Sequence, residues 1–185
     1  MKYKKLIITL ISVIFCIYIY FIRYDIYTIY KLRNCIKWNK NSPVKIDDFQ
    51  VVSNKNFTRN LNFWHGIMMH SNAFGEAEAI AVFDKSKSWT KDTTKFDYKT
   101  ELKLQKLMFN LTELYARKIN NKIKALKYAN NDNGLDFKIL EKEYLNRIDD
   151  YNNRCKEIRE EKGKTKIEII NYWTPIINEL LKKEE

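Results

Sequence analysis

The run Leu6–Ile22, LIITLISVIFCIYIYFI, constrains this chain more than any other stretch, because a helix built from it is apolar on every side. It lies between Lys5 and Arg23 and holds no charge, proline or glycine; its polar members, Thr9, Ser12, Tyr18 and Tyr20, are small or amphipathic. At about 1.5 Å per residue it is roughly 25 Å long as a helix, near the short end of what crosses a bilayer. Snorkelling by Lys5 and Arg23 would cover the shortfall. The expectation is therefore an uncleaved N-terminal transmembrane helix. A cleaved signal needs small residues after its core, where this chain has IYIYFIRYDIY. A lipoprotein signal would need them before Cys16, where Val13, Ile14 and Phe15 stand.

Helical rhythm continues through RYDIYTIYKLRNCIKW, so the reading extends the helix to Trp38. Lys5, Arg23, Tyr24, Tyr27, Tyr30, Arg33 and Trp38 are then the membrane-interface residues, aromatic rings and basic groups at headgroup depth. NKNSP at 39–43 is the first break. The expected organisation is a basic leader (1–5), an anchor (6–22), a juxtamembrane helix (23–38) and one soluble domain (39–185). Basic residues flank the run on both sides in nearly equal weight. The short, wholly basic leader points to an inside N-terminus and an extracytoplasmic domain, in a single-pass arrangement.

The net charge of +11 is not spread evenly. Residues 1–40 carry eight Lys/Arg and one Asp, a net of +7 beside the expected anchor, where anionic headgroups are the natural partner. Residues 85–127 carry twelve basic and four acidic residues (+8), and 128–185 eleven and thirteen (−2). A basic helix facing a more acidic one accounts for that contrast. Nucleic-acid binding would call for basic residues interleaved with exposed aromatics, or for a recognisable module, and neither is visible.

Only four glycines and two prolines occur, which disfavours a turn-rich β architecture. From Asp97 to Tyr128, Leu104, Leu107, Leu111, Leu114, Ile119, Ile123 and Leu126 recur mainly at three and four. Met108 and Tyr115 widen that stripe beyond a coiled-coil seam, so the helix should pack against more than one neighbour. NNDNG at 130–134 is a stop, with Gly134 suited to a left-handed cap. A second helix is expected over 136–162, burying Leu140, Tyr144, Ile148, Tyr151, Cys155 and Ile158, with Gly163 ending it. A third is expected over 166–182 through Ile169, Ile170, Trp173, Ile177, Leu180 and Leu181, kinked or split at Pro175. Residues 44–84 are harder. LNFWHGIMMH fits a helical face through Leu61, Trp64 and Met68, and EAEAIAVFDK fits either a helix, by its Ala and Glu, or a buried strand, with helix preferred. The fold class expected is mainly α: a transmembrane helix followed by a small antiparallel helical hairpin or bundle.

His65 and His70, with Glu76 and Glu78 behind them, are the candidate metal ligands. Their spacing is not that of HExxH: five residues separate two side chains by about 140° on a helix and place them on opposite faces of a strand. Cys35 and Cys155 are the candidate disulfide if the domain is extracytoplasmic; the alternative is that both are small buried hydrophobes. Asn56-Phe-Thr58 and Asn110-Leu-Thr112 match the glycosylation sequon. There is no CxxC pair, Gly-rich phosphate loop or GxSxG, and no cofactor is implied. The function expected is a membrane-anchored, non-catalytic interaction module of accessory, assembly or immunity type, meeting a protein partner or a second copy of itself. A small-ligand sensor domain and a membrane-tethered, metal-dependent hydrolase are the alternatives.

Overall fold

The computed structural model describes residues 2–52, 57–71, 76–129 and 136–184, and within these the side chains of Lys2, Lys5, Leu6, Phe21, Tyr24 and Phe137 lie outside the description. Helix α1 (Lys2–Leu32) leads into strand β1 (Cys35–Lys37), then β2 (Gln50–Val51), β3 (Leu61–Asn62), β4 (His65–Ser71), β5 (Ala77–Asp84) and β6 (Trp89–Thr90). Helices α2 (Tyr98–Ala129), α3 (Phe137–Arg159) and α4 (Lys166–Lys183) complete the described chain.

The expected helical bundle is thus corrected to a mainly helical α+β arrangement with two small three-stranded sheets. One has the order β1-β5-β4, antiparallel throughout; the other, β2-β6-β3, pairs β2 parallel and β3 antiparallel to β6. The helical preference for 61–84 failed because β5 is flanked on both edges. Its AIAVF run is buried on both faces, as a central strand allows and a one-sided helix does not. Nor does the first helix reach Trp38: it ends at Leu32, and Cys35–Lys37 pair with Val82–Asp84 instead.

The transmembrane helix is also corrected. Among the described residues no single helix is long and apolar enough to cross a membrane. Ile7–Tyr20 and Asp25–Leu32 meet the length and composition only as a pair bent by 53°. The first piece reaches only about 21 Å at helical rise, against an acyl core of about 30 Å. The second carries Asp25 and Lys31.

Helix α2 is buried on two sides. Leu102, Phe109, Ala116, Ile119 and Ile123 face the β1-β5-β4 sheet, where Phe83 meets Phe63 in a tilted contact with ring centroids 4.6 Å apart. Leu104, Leu107, Met108, Leu111 and Leu114 face α3 and α4, meeting Tyr151, Cys155, Ile158, Trp173 and Ile177. Two polar contacts fix the first interface. Beyond the end of β1, where the Trp38 amide donates to the Ala81 carbonyl, the Asn120 side chain takes over the ladder. Its amide donates to the Ala79 carbonyl (2.9 Å) and its oxygen accepts from the Ala79 N–H (2.7 Å).

The helices have legible ends. Asp136 caps α3 by accepting from the Lys138 and Ile139 amides. Thr165 and Glu168 form a capping box on α4, and Gly163, in the link between α3 and α4, adopts φ +80°, open to glycine without strain. The kink expected at Pro175 does not break α4, which is assigned as one helix through that residue. Its Ile169, Trp173, Ile177 and Leu181 repeat every fourth residue and are held on the buried face. The stop at 130–134 with Gly134, and Asn56 of the first sequon, lie outside the described residues.

Replacing Leu111, 2% exposed at the junction of three helices, with alanine is expected to cost about 2–5 kcal/mol of unfolding free energy. Leu145→Ala on the exposed side of α3 should stay within about 0.5 kcal/mol. Chemical denaturation of both variants checks the placement of this core.

Candidate functional site

Strand β4 places the two histidines on opposite faces, as its alternation requires. His65 pairs across to Phe83 and looks toward α2; His70 pairs across to Glu78 and looks the other way, toward α1. One ion cannot take both.

The His65 ring enters a polar knot inside the α2–α3 interface. Its Nδ1 lies 2.7 Å from the Thr112 hydroxyl and 3.1 Å from that of Tyr151, and the two hydroxyls are 3.1 Å apart. Thr112 donates its only proton to the Met108 carbonyl at 3.0 Å. Nδ1–H and Tyr151 O–H can then both donate to the Thr112 oxygen, which satisfies both donors and leaves the Tyr151–Nδ1 approach as a close contact. Burial, with a lesser contribution from the Arg159 charge, pushes the His65 pKa down to about 3. Burial likewise pushes Tyr151 up, above the range in which it titrates in water. This knot is neutral at physiological pH and holds β4 to α2 and α3.

His70 is clasped by α1. Its Nε2 lies 3.3 Å from the Asp25 carboxylate, which can only accept, so Nε2 carries the proton. Nδ1 then accepts the Thr28 hydroxyl at 2.6 Å. The order hydroxyl, imidazole, carboxylate is that of a nucleophilic triad. Here, however, Thr28 and Asp25 come from one helix, and the neighbouring backbone N–H groups are spent in its ladder rather than aimed at a developing oxyanion. The contact is a clasp that fastens α1 to the sheet. Glu76 and Glu78 line a cleft with His70, opposite Lys124 and Lys127. Among the described residues no group of three His, Cys, Asp or Glu side chains could hold a metal ion.

Cys35 and Cys155 are both free thiols, not a disulfide. Cys35 caps the end of α1 by donating to the Lys31 carbonyl (3.5 Å), while Cys155 is buried between α2, α3 and α4. Burial raises the pKa of each, so neither is a ready nucleophile.

Of the interface set, the side chains of Lys5 and Tyr24 lie outside the described residues. Arg23 sits 3.9 Å over the Tyr20 ring, Lys31 5.3 Å over Tyr27 and Arg33 5.5 Å over Tyr30, a ladder of cation–π contacts along α1. Trp38 has left that set. It packs against both cores and donates its indole N–H to the Asn110 side chain at 2.8 Å. That bond places Asn110, the first residue of the second sequon, on the flank of α2.

The most exposed apolar surface is the arm Ile7–Tyr20, whose large apolar and aromatic side chains are 42–64% exposed around the whole circumference. Its Ser12 hydroxyl is spent on the Ile8 carbonyl at 3.0 Å. Asp25 and Thr28, the residues that set how this arm leaves the domain, were not singled out by sequence reasoning. The only signal for them was a lone acid within a basic flank. Thr112 and Tyr151 were hidden in helical stripes. No known family model matches the chain, and no curated protein or solved structure is significantly similar to it.

The unfolded chain takes up a proton at His65 below its ordinary 6.5, whereas the folded chain does so only near about 3. The stabilisation is therefore present above pH ~6.5 and falls away as pH drops through that window, by about 2 kcal/mol at pH ~5. His65→Gln should flatten unfolding free energy against pH between about 5 and about 7. Parallel slopes for the variant and the parent chain would contradict the neutral, buried imidazole.

Proposed function

We propose that this protein is a lipid-associated interaction module. The α1 arm is embedded in the acyl layer of an anionic bilayer, and the domain that begins with β1 is held at the surface to meet a protein partner. The observation that carries this reading is the all-round exposure of the arm. A protein groove takes one apolar stripe of a helix, whereas exposed side chains on every side call for an apolar medium on every side.

Three further features support lipid as that medium. Basic residues bracket the arm, with Lys4 before it and Arg23, Lys31 and Arg33 after it, which complements anionic headgroups. Tyr18, Tyr20, Tyr27 and Tyr30 gather toward its domain end, where amphipathic rings favour the headgroup boundary. The Ser12 hydroxyl bonds within the helix, as a polar group in hydrocarbon must. The clasp of His70 by Asp25 and Thr28 then couples the arm to the sheet, so lipid contact orients the whole domain.

The surface nearest to a partner site is the aromatic rim of the β2-β6-β3 sheet. There Phe57 stacks on Trp89 at 4.4 Å, Lys87 lies 4.0 Å over Trp64, and Val51 is 79% exposed. Aromatic and aliphatic groups in this setting are the usual anchors of protein contacts.

Vesicle flotation of the full chain tests the lipid half directly. Phosphatidylcholine vesicles should carry the protein upward, and vesicles containing phosphatidylglycerol more of it, with salt removing only the increment. Ile11→Asp combined with Ile14→Asp should reduce the floating fraction more than tenfold, since each buried charge costs about 2.5–3.5 kcal/mol. Flotation unchanged by the double substitution, or self-association of the arm without lipid, would sink the proposal.

A further inference from the structure

Between the loop after β1, the middle of α2 and the end of α4 lies a cavity of about 380 Å³, within the range of small-molecule sites. Its charged lining is entirely basic: Lys40, Lys106, Arg117 and Lys182, with no carboxylate among the described residues that line it. Arg117 is already committed. Its Nε donates to Glu113 at 2.8 Å, an Nη donates to the Leu181 carbonyl at 3.1 Å, and its guanidinium sits 5.3 Å over the Trp38 ring. None of Lys40, Lys106 and Lys182 forms an ion pair among the described residues, and the one carboxylate that feels the Lys182 charge, Glu179, is itself paired with Lys183. Three like charges around one cavity repel one another unless an anion joins them.

Neutral donors complete the set. The Trp38 indole can only donate, so the Asn110 atom facing it is the oxygen, and the Asn110 NH2 group is left as a donor. Asn178 and Ser42 add an amide and a hydroxyl to the lining. Phe109 and Leu181 supply an apolar wall.

We infer that this cavity binds a phosphomonoester, its phosphate held by Lys40, Lys106 and Lys182 and its small apolar body against Phe109 and Leu181. The charge count selects the group. A carboxylate neutralises one of three ammonium groups, whereas a phosphomonoester carries about −1.5 to −2 near neutrality and offers three acceptor oxygens. Lysines act on phosphate as point charges and need no planar fork, which suits a site whose only guanidinium is occupied. A soluble phosphate ester and the headgroup of a phosphatidic acid share this chemistry. The inference does not depend on the lipid association proposed above.

The test is isothermal titration of the full chain in neutral detergent micelles with two probes: glycerol 3-phosphate, and dihexanoyl phosphatidic acid below its own micelle concentration. One saturable site is expected, weakened at least tenfold by Lys106→Met and by Lys182→Met, and unchanged by Lys99→Met on an exposed part of α2. Thermal midpoints equal to the parent's show that the variants fold. Equal affinity for both probes assigns a soluble ester, and tighter binding of the acylated probe assigns a lipid headgroup; either outcome upholds the site. Absence of saturable heat with both probes overturns it. So does equal binding of acetate at matched ionic strength, or equal weakening by Lys99→Met.

Discussion

Everything in this structure depends on α2 having two faces to bury. A helix with one apolar stripe needs one neighbour, but α2 carries Phe109, Ile119 and Ile123 on one side and Leu107, Met108 and Leu111 on the other. The β1-β5-β4 sheet covers the first side, and α3 with α4 covers the second. Polar residues on the same helix then set the register. Asn120 reaches the Ala79 backbone, and Thr112 meets His65 and Tyr151. An unpaired buried group costs about 1–3 kcal/mol, so a shifted sheet would lose the benefit of its own packing. Apolar burial supplies the drive, and these few hydrogen bonds choose among the ways of achieving it.

The sheet has two faces of its own. Alternation along β4 and β5 sends His65, Ile67, Ala81 and Phe83 toward α2, and sends His70 and Glu78 to the opposite side. That opposite side is where the C-terminal part of α1 is fastened, through Asp25 and Thr28. The same helix is therefore part of the fold at one end and an exposed apolar arm at the other. The change of character falls between Tyr20 and Asp25, where the 53° bend also lies. A domain clasped to its arm transmits orientation, which a flexible linker would not.

The basic excess over residues 85–127 takes on meaning only in this arrangement. Part of it is neutralised across helices, as in Lys122 with Glu143, a partly exposed pair that contributes little. Lys106 is not neutralised in this way. Loop 39–43 and the end of α4 bring Lys40 and Lys182 to the same cavity, so charges far apart in sequence accumulate at one place. Such a cluster opposes folding by self-repulsion, which a bound dianion would relieve.

The three C-terminal helices were legible in the sequence because each is long and its apolar residues repeat at three and four, and because NNDNG at 130–134 and Gly163 separate them. The width of the α2 stripe even required a second neighbour. Apolarity of the first run was equally plain, since it needs no partner to be recognised. What the sequence could not decide was local preference against long-range pairing. Ala77–Asp84 has Ala and Glu enough for a helix, and became a strand because β1 and β4 satisfy its backbone from both edges. Cys35–Lys37 left the helical rhythm for the same reason. The site residues were separated in the same way. Spacing alone put His65 and His70 on opposite faces of any strand, but only the tertiary structure gave each its partners, from residues 42 to 86 positions away. Periodicity and composition are properties of neighbours along the chain; hydrogen-bond partners, and the gathering of Lys40, Lys106 and Lys182, are properties of distance in space, which local sequence does not encode.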